Sequence, residues 1–337
     1  MNALVMKRPG EAVVEQIAEP TDGGDNLLLK VQMVGLCGSD LNSFRGNNPM
    51  VTFPRIPGHE VSATVVEGSK QFPHLATGVN VTVSPYTSCG KCASCRRNRP
   101  NACRFNETLG VQRDGAMAEF ITMPAERLYP AALSIKELCL VEPLTVGFHA
   151  AARGRVTKDD NVAIFGCGGV GLGAISACYF AGARTIAIDV DDQKLEIARK
   201  AGAAHTINSR KDSLHQALLD CTDGLGPDVV IEAIGVPETF RAAVEEVAFT
   251  GRVVYIGYAK ELVSYETRLF VQKELDILGS RNALPEDFLR VITMLEEGLF
   301  PVEDVVTAIV PLEEAPRILQ QWSDNPGRFT KIMVELS

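Results

Sequence analysis

The fold of this chain is decided by one stretch, Val162-Ala163-Ile164-Phe165-Gly166-Cys167-Gly168-Gly169-Val170-Gly171-Leu172-Gly173. An apolar run of strand length reaches Gly166, and Gly168 and Gly171 follow at the spacing G-x-G-x-x-G. The first glycine permits a tight turn, the second lets backbone N–H groups approach a pyrophosphate, and the third lets a helix pack close to the strand. The stretch therefore predicts a strand, a turn and a helix that bind a dinucleotide through Gly166, Gly168, Gly169, Val170 and Gly171.

A second apolar run supports the same interpretation. It spans residues 185–188 and ends on Asp189, about 20 residues further on, where such folds carry an acid that binds ribose hydroxyls. The carboxylate of Asp189 would repel a 2′-phosphate, and Val190 supplies no cation, so we expect NAD rather than NADP. Two alternatives stay open. The uncharged segment 161–183 is long enough for a membrane helix, and the glycines could form a turn without a ligand, although their density favours the dinucleotide site.

Composition and net charge argue against some classes of binding partner. Its 337 residues are enough for two domains, and 46% are hydrophobic and 22% charged, as in ordinary globular proteins. The net charge of −9 argues against a nucleic-acid or membrane partner. Residues 1–7 hold an apolar run too short for a signal peptide and predict a first strand. We therefore expect a cytoplasmic protein whose nine cysteines are metal ligands or buried thiols rather than disulfides.

Residues 1 to about 142 predict short strands separated by turns. The strand-like runs are 27–34, 61–66 and 79–83, and turn residues such as Gly23-Gly24 and Pro57-Gly58 stand between them. This pattern is typical of an antiparallel barrel or sandwich. Residues from about 143 to 285 instead alternate strand and helix patterns, which predicts a doubly wound parallel sheet.

Two loops of the first part hold possible metal ligands. Cys37 lies in the first loop, Gly35 to Asp40, and His59 and Glu60 lie in the second. A thiolate, an imidazole and a carboxylate are a normal ligand set for catalytic zinc. Taken alone, each residue is better explained without a metal: Cys37 as a buried thiol, His59 as a hydrogen-bonded turn residue and Glu60 as a solvated acid.

Four further cysteines follow at the spacing C-x2-C-x2-C-x7-C, namely Cys89, Cys92, Cys95 and Cys103. Four thiolates in one lobe suit a closed structural zinc site, and an iron–sulfur cluster or a redox pair are the alternatives. Such a lobe has little apolar core, so metal binding would supply its folding free energy. Cations crowd the same segment, which also allows a nucleic-acid-binding zinc knuckle. Phe105 is the only aromatic residue among these cations that could stack on a base, so we favour a role in offsetting the negative charge of the thiolates over nucleic-acid binding. The cations are Lys91, Arg96, Arg97, Arg99 and Arg104.

Taken together, these motifs resemble the zinc-dependent medium-chain dehydrogenase/reductase family, in its polyol and threonine dehydrogenase branch. The motifs that carry the resemblance are residues 35–40, Gly58-His59-Glu60, the four cysteines, residues 110–115, Glu142-Pro143-Leu144 and the glycine turn. The resemblance covers essentially the whole chain. It implies a GroES-like barrel over residues 1–143 with a zinc lobe at about 86–106, a Rossmann NAD-binding domain over 144–284, and a return to the first domain over 285–337.

The resemblance also implies a ligand set. Cys37, His59 and Glu142 would hold a catalytic zinc, with Glu60 as an exchangeable ligand or an acid beside the ligands, and the four cysteines would hold a second zinc. Glu142 could instead cap a helix that begins at Pro143, because proline suits the first helical position.

The resemblance assigns proton transfer to the first loop. Ser39 would take the proton of the substrate alcohol, and Asp40 would orient a zinc ligand. Relatives usually carry histidine three residues after this hydroxyl, and here the position is Asn42, which cannot titrate. We therefore expect water or Glu60 to carry the proton onward, or a slower relay at low pH.

The substrate prediction depends on one more stretch. Residues 279–288 resemble the corresponding part of L-galactonate and L-gulonate 5-dehydrogenases, and Arg281 and Arg113 could bind a carboxylate through their guanidinium groups. Arg281 could also lie against the cofactor or a domain interface. The prediction is oxidation of a hexonate such as L-gulonate or L-galactonate, with a neutral polyol or L-threonine as alternatives. A non-catalytic NAD-binding protein is the alternative class, and the resemblance implies a homodimer or homotetramer.

Overall fold

The computed structural model describes residues 1–20 and 26–336, so the turn predicted at Gly23-Gly24 lies outside the described residues. The chain forms two compact units. The first unit comprises Met1–Glu142, Leu284–Ile292 and Val302–Ser337, and the second comprises Pro143–Ala283 and Thr293–Pro301. The sequence-based boundaries differ from these mainly at Thr293–Pro301. In this segment, Leu299 and Phe300 line one pocket together with Tyr179 and Gly202 of the second unit.

The secondary structure of the described residues follows the predicted order. The strands are β1 (Asn2–Arg8), β2 (Glu11–Gln16), β3 (Asn26–Leu36), β4 (Glu60–Val65), β5 (Asn80–Val83), β6 (Phe120–Pro124), β7 (Leu128–Pro130), β8 (Asn161–Phe165), β9 (Arg184–Asp189), β10 (His205–Asn208), β11 (Val229–Glu232), β12 (Arg252–Tyr255), β13 (Asp276–Gly279), β14 (Val306–Pro311) and β15 (Lys331–Glu335). The helices are α1 (Gly38–Phe44), α2 (Ile135–Arg153), α3 (Gly169–Phe180), α4 (Asp192–Lys200), α5 (Leu214–Cys221), α6 (Pro237–Glu246), α7 (Arg268–Gln272), α8 (Pro285–Glu296), α9 (Val302–Val305) and α10 (Ala315–Asp324).

The first unit is built on a largely antiparallel sheet, as the strand-and-turn pattern predicts. Its strand order is β14-β15-β3-β4-β5-β7, and β6 also pairs with β3. The long strand β3 runs antiparallel to both β4 and β15. Because Gly35 pairs with Glu60 and Leu36 pairs with Ile332, the end of β3 meets the first residues of both neighbouring strands. This register gathers Glu60 and Lys331 beside the loop that follows β3.

Apolar side chains on these strands form the core of the first unit. Its fully buried members include Leu29, Val31, Val61, Ala63 and Val81, all with no exposed area. Burial of such side chains is the main favourable term in folding, at about 25 cal/mol per Å² of apolar surface. The sheet therefore holds the loops at its ends in fixed positions.

The second unit contains a six-stranded parallel sheet in the order β10-β9-β8-β11-β12-β13. The strand order reverses between β8 and β11, which is the switch point where open α/β sheets bind ligands. Phe165 at the end of β8 pairs with Glu232 at the end of β11, so the glycine turn follows β8 directly at this point. The Rossmann prediction is confirmed. Within residues 1–20 and 26–336, every helix is too short or too polar to cross a bilayer.

One local prediction is wrong: no helix begins at Pro143. Helix α2 starts at Ile135 and runs through Pro143, so Glu142 lies inside a helix and does not cap one. An interior proline costs a helix about 3 kcal/mol because it removes one backbone hydrogen bond. Leu138, Val141 and Leu144 are buried with at most 2% of their area exposed. Their packing outweighs the cost of the proline.

Candidate active site

Three potential metal ligands meet where β3 ends and β4 begins. Cys37 precedes α1, His59 precedes β4, and Glu60 is the first residue of β4. Their ligand atoms all lie within 4.8 Å of one another. His59 is 6% exposed and Glu60 is 1% exposed, whereas Cys37 is only half-buried. A half-buried thiol with a buried imidazole and a buried carboxyl at this spacing is a donor set that fits a zinc ion.

Asp40 ties the two ligand loops together. Its Oδ2 accepts a hydrogen bond from the backbone N–H of Cys37 at 2.9 Å, and its Oδ1 accepts one from the N–H of Gly58 at 3.3 Å. Oδ1 also lies 4.0 Å from Nδ1 of His59. This Nδ1 atom has no hydrogen-bond partner among the described residues. Burial opposes the charged imidazole, but the charge of Asp40 and a hydrogen bond with Cys37 raise the pKa of His59 well above its usual value.

Glu60 is held by a lysine from the far end of the chain. Lys331 Nζ lies 2.7 Å from Oε1 and 2.6 Å from Oε2 of Glu60, and the lysine side chain is 6% exposed. Burial opposes the ammonium form, but the charge of Glu60 outweighs it, so the pKa of Lys331 lies above its usual value. Sequence reasoning missed Lys331. The signal was a cation directly before the apolar run Ile332-Met333-Val334, where it has to be buried with a partner.

Glu142 is a second buried carboxyl in the first unit. It is 3% exposed, and its Oε1 accepts a hydrogen bond from the hydroxyl of Tyr86. Among the described residues, the three-ligand group within 4.8 Å is Cys37, His59 and Glu60, and Glu142 lies outside it. Burial raises the pKa of Glu142, Glu60 raises it further, and the charge of His59 opposes both. Sequence reasoning missed Tyr86, whose own pKa is raised well above normal by burial and by the charge of Glu142.

The predicted proton acceptor lies on the same short helix as Asp40. Ser39 is in the first turn of α1, and its Oγ is buried with no hydrogen-bond partner among the described residues. The backbone carbonyl of Ser39 accepts a hydrogen bond from the side-chain hydroxyl of Ser43 at 2.8 Å. A buried hydroxyl without a partner is costly unless a ligand satisfies it.

The four cysteines form a separate cluster. The sulfur atoms of Cys89, Cys92, Cys95 and Cys103 all lie within 4.8 Å of one another. Backbone N–H groups of Cys89 and Phe105 donate to the sulfur of Cys103 at 3.4 and 3.3 Å. A hydrogen bond from Ser94 and backbone donors lower the pKa of Cys92 to about 5. Four sulfurs with N–H donors aimed at them fit a closed tetrahedral zinc site.

The glycine turn of the second unit fits a dinucleotide. Gly166 has a φ of +97°, in the left-handed region that favours glycine. A Cβ at Gly171 would lie 1.8 Å from the carbonyl oxygen of Gly166, whereas a Cβ at Gly168 would meet no atom within 4 Å. Gly171 therefore needs to be glycine for close packing of the helix, and Gly168 leaves open space for a ligand at the start of α3. The turn residues Gly169 and Val170 form the first positions of that helix.

Asp189 stands beside this turn, as the sequence predicts. Its Oδ2 accepts a hydrogen bond from the N–H of Cys167 at 2.8 Å, and its Oδ1 accepts one from the N–H of Val190 at 2.7 Å. The carboxylate is therefore fixed between β9 and the glycine turn, where it retains lone pairs for ribose hydroxyls.

The two predicted substrate arginines lie in different units. Arg113 belongs to the first unit, where one guanidinium nitrogen donates to the carbonyl of Pro85 at 3.4 Å and Nε is buried without a partner among the described residues. Burial lowers the pKa of Arg113 from its usual value. Arg281 belongs to the second unit, where it is exposed and follows β13.

Two family models match this chain. The model described as alcohol dehydrogenase GroES-like domain matches residues 23–133, and the model described as zinc-binding dehydrogenase matches residues 169–297. An uncharacterized zinc-type alcohol dehydrogenase-like protein of Haemophilus influenzae is 34% identical to the chain, and the match covers 98% of both sequences. An L-galactonate-5-dehydrogenase of Escherichia coli is 30% identical over 92% of each sequence. A sorbitol dehydrogenase of Bacillus subtilis is 31% identical over 99% of this chain and 97% of the relative.

Solved structures with bound cofactors are similar to the whole chain. A short chain alcohol dehydrogenase from Escherichia coli CFT073 complexed with NADH superposes with a TM-score of 0.91 at 26% identity, over 100% of this chain and 99% of the other. A protein from Sinorhizobium meliloti 1021, described as a zinc-binding dehydrogenase bound to NADP, superposes with a TM-score of 0.91 at 29% identity, over 99% of each chain.

Proposed function

Because this chain belongs to the zinc-type alcohol dehydrogenase family, we propose that it oxidises a secondary hydroxyl of a sugar acid to a ketone, with NAD as the hydride acceptor. The observation that carries the reaction class is the group of Cys37, His59 and Glu60, whose ligand atoms lie within 4.8 Å of one another.

In this proposal Cys37 and His59 hold the catalytic zinc together with the carboxylate of Glu60 or Glu142. When bound, zinc supplies a Lewis acid that lowers the pKa of a hydroxyl placed against it. Asp40 fixes both ligand loops and faces Nδ1 of His59, so the ring presents its other nitrogen to the metal.

Ser39 accepts the proton of the substrate hydroxyl in this scheme. Its buried Oγ has no partner among the described residues, which leaves it available to a ligand. Proton transfer by a positioned side chain contributes about 10²–10⁴-fold to a rate. Asn42 cannot continue the relay because an amide does not titrate, so water or Glu60 carries the proton onward.

The second unit binds the cofactor in this proposal. Backbone N–H groups of Gly168 and Gly169 and the start of α3 bind the pyrophosphate, and Asp189 accepts hydrogen bonds from the ribose hydroxyls. NAD supplies the hydride acceptor. Similar structures contain either NADH or NADP. The negative charge of Asp189 and the apolar Val190 after it support NAD here, because a 2′-phosphate would find repulsion and no cation.

The four-cysteine lobe holds a second zinc in this proposal, so the chain binds two zinc ions. Its role is to fold the lobe, because the segment offers few buried apolar side chains of its own. We also propose that the protein assembles as a homodimer or homotetramer. Size-exclusion chromatography with light scattering tests the assembly, and a monomer at micromolar concentration would contradict it.

Two observations support a sugar acid as substrate. One is the L-galactonate-5-dehydrogenase relative at 30% identity. The other is Arg113, a partly buried cation whose Nε has no partner among the described residues and which could bind a carboxylate. A neutral polyol is the second candidate, because a sorbitol dehydrogenase matches 99% of this chain at 31% identity.

Steady-state kinetics with NAD decide between these substrates. We expect kcat/KM to be higher for L-gulonate or L-galactonate than for sorbitol or L-threonine. We also expect Arg113→Ala and Arg281→Ala to lower kcat/KM for hexonates by about 10-fold or more, as the loss of a charge-assisted hydrogen bond implies. Arg241→Ala, at an arginine on α6 paired with Glu238, serves as the control. A preference for sorbitol, or full hexonate activity in both variants, would reject the sugar-acid proposal.

A further inference from the structure

Tyr86 joins two features of the first unit that sequence reasoning treats separately. Its ring is buried with 6% of its area exposed, and its hydroxyl donates a hydrogen bond to Oε1 of Glu142. Tyr86 also lies three residues before Cys89, the first cysteine of the lobe. One side chain therefore contacts a candidate catalytic ligand while its backbone leads into the other metal cluster.

The two ends of the lobe are hydrogen-bonded to each other. We call this region the lobe neck and define it as residues 85–87 together with residues 106–109. Leu109 N–H donates to Pro85 O at 3.1 Å, Thr87 N–H donates to Asn106 Oδ1 at 3.1 Å, and Glu107 N–H donates to Thr87 Oγ1 at 2.6 Å. These hydrogen bonds hold the backbone of the residues on both sides of Tyr86.

Hydrogen bonds to Cys103 connect the neck to the four-cysteine cluster. Asn106 N–H donates to the carbonyl of Cys103 at 3.3 Å, and Cys89 N–H donates to the sulfur of Cys103 at 3.4 Å. The first and last cysteines thus lie within three residues of the two segments that form the neck. A metal that binds all four sulfurs fixes Cys89 and Cys103 and thereby holds the neck together.

We propose that Tyr86 is a positioning residue that couples the metal-closed state of the four-cysteine lobe to the carboxylate of Glu142 at the catalytic metal site. The proposal rests on the metal assignments made above. The hydrogen bond from the Tyr86 hydroxyl restrains the side-chain conformation of Glu142. Lys331 contacts both oxygens of Glu60, whereas Glu142 accepts its hydrogen bond from a different residue, Tyr86. Loss of a hydrogen-bond partner of a metal ligand typically lowers metal affinity by about 10–100-fold.

The first test uses Tyr86→Phe, which removes one hydroxyl and keeps the ring. The protein is loaded with zinc in the lobe and Co²⁺ at the catalytic site, and the Co²⁺ dissociation constant and visible spectrum are measured. We expect the Co²⁺ dissociation constant to rise about 10–100-fold with a shifted d–d band, while the lobe keeps its zinc. Tyr129→Phe is the matched control, because Tyr129 stacks on Phe288 in the same unit. An unchanged affinity and spectrum in Tyr86→Phe would overturn the proposal.

The second test asks whether the coupling runs through Tyr86. Cys95→Ser opens the lobe and should weaken Co²⁺ binding at the catalytic site, but it should add little to the loss already present in Tyr86→Phe. Equal weakening in both backgrounds would refute the coupling. Should Cys95→Ser not fold, Thr87→Val breaks one neck hydrogen bond, leaves all four sulfurs in place, and should follow the same pattern with a smaller effect. A wild-type chain that holds only one zinc would instead overturn the catalytic metal assignment itself.

Discussion

Replacing Lys331 by methionine removes one partner of a buried ion pair and should destabilise the first unit strongly. The two side chains are 6% and 1% exposed, and Nζ lies 2.6 Å from Oε2 of Glu60. Removal of one partner from such a pair costs about 3–5 kcal/mol, because the remaining charge is buried without compensation. His59 and a bound metal would offset part of the charge of Glu60, so we expect the lower end, about 3 kcal/mol. In a domain of roughly 150–250 residues this lowers Tm by roughly 6–12 °C.

The chain provides a specific probe for this measurement. Trp322 is the sole tryptophan of the sequence, lies on α10 in the first unit, and is 9% exposed. Its fluorescence during urea unfolding therefore reports the unit that contains Lys331. Lys136→Met is the control, because Lys136 forms an exposed ion pair with Glu303 at 2.8 Å, and such pairs contribute at most about 1 kcal/mol.

A double variant separates the ion pair from simple loss of packing. Glu60→Gln removes the charge that Lys331→Met leaves unpaired, so the double variant should be more stable than Lys331→Met alone, with a coupling free energy of about 2–3 kcal/mol. The reasoning is refuted if Lys331→Met costs no more than Lys136→Met. It is also refuted if the double variant shows no coupling.

Three further changes test the site residues. Ser39→Ala should lower kcat by about 10²–10⁴-fold with zinc content unchanged, measured by steady-state kinetics and metal analysis, and an unaltered kcat would exclude Ser39 as proton acceptor. Asp189→Asn should raise the dissociation constant for NADH by about 10–100-fold through loss of charged hydrogen bonds, measured by fluorescence titration; unweakened binding would contradict the ribose contact. Cys95→Ser should reduce bound zinc from about two ions per chain to about one and lower Tm. Retention of both ions would contradict the lobe assignment.

Features set by short-range patterns could be read from the sequence. The glycine turn, the strand that ends on Asp189 and the spacing of the lobe cysteines all lie within one or two elements, so spacing alone indicates their geometry. The register of β3 with β4 then brings Cys37 and Glu60 together, as the resemblance implies.

Contacts between distant parts of the chain escaped prediction. Lys331 and Glu60 are 271 residues apart in the sequence, and Tyr86 and Glu142 are 56 residues apart. Each pair forms because separate elements of the first unit end at the same place. No short-range sequence pattern indicates that these elements come together. The start of α2 was missed for a different reason: Pro143 is a local signal for a helix start, and burial of the surrounding apolar side chains overrides it.

The most direct test of the proposed chemistry is the zinc content and NAD reduction of a His59→Ala variant. Cys37, His59 and a buried carboxylate should hold one zinc, and the four cysteines should hold the other. We therefore predict that His59→Ala keeps about one zinc ion per chain and no longer reduces NAD with any hexonate or polyol. A variant that keeps both zinc ions and the wild-type rate would contradict the proposed catalytic metal site.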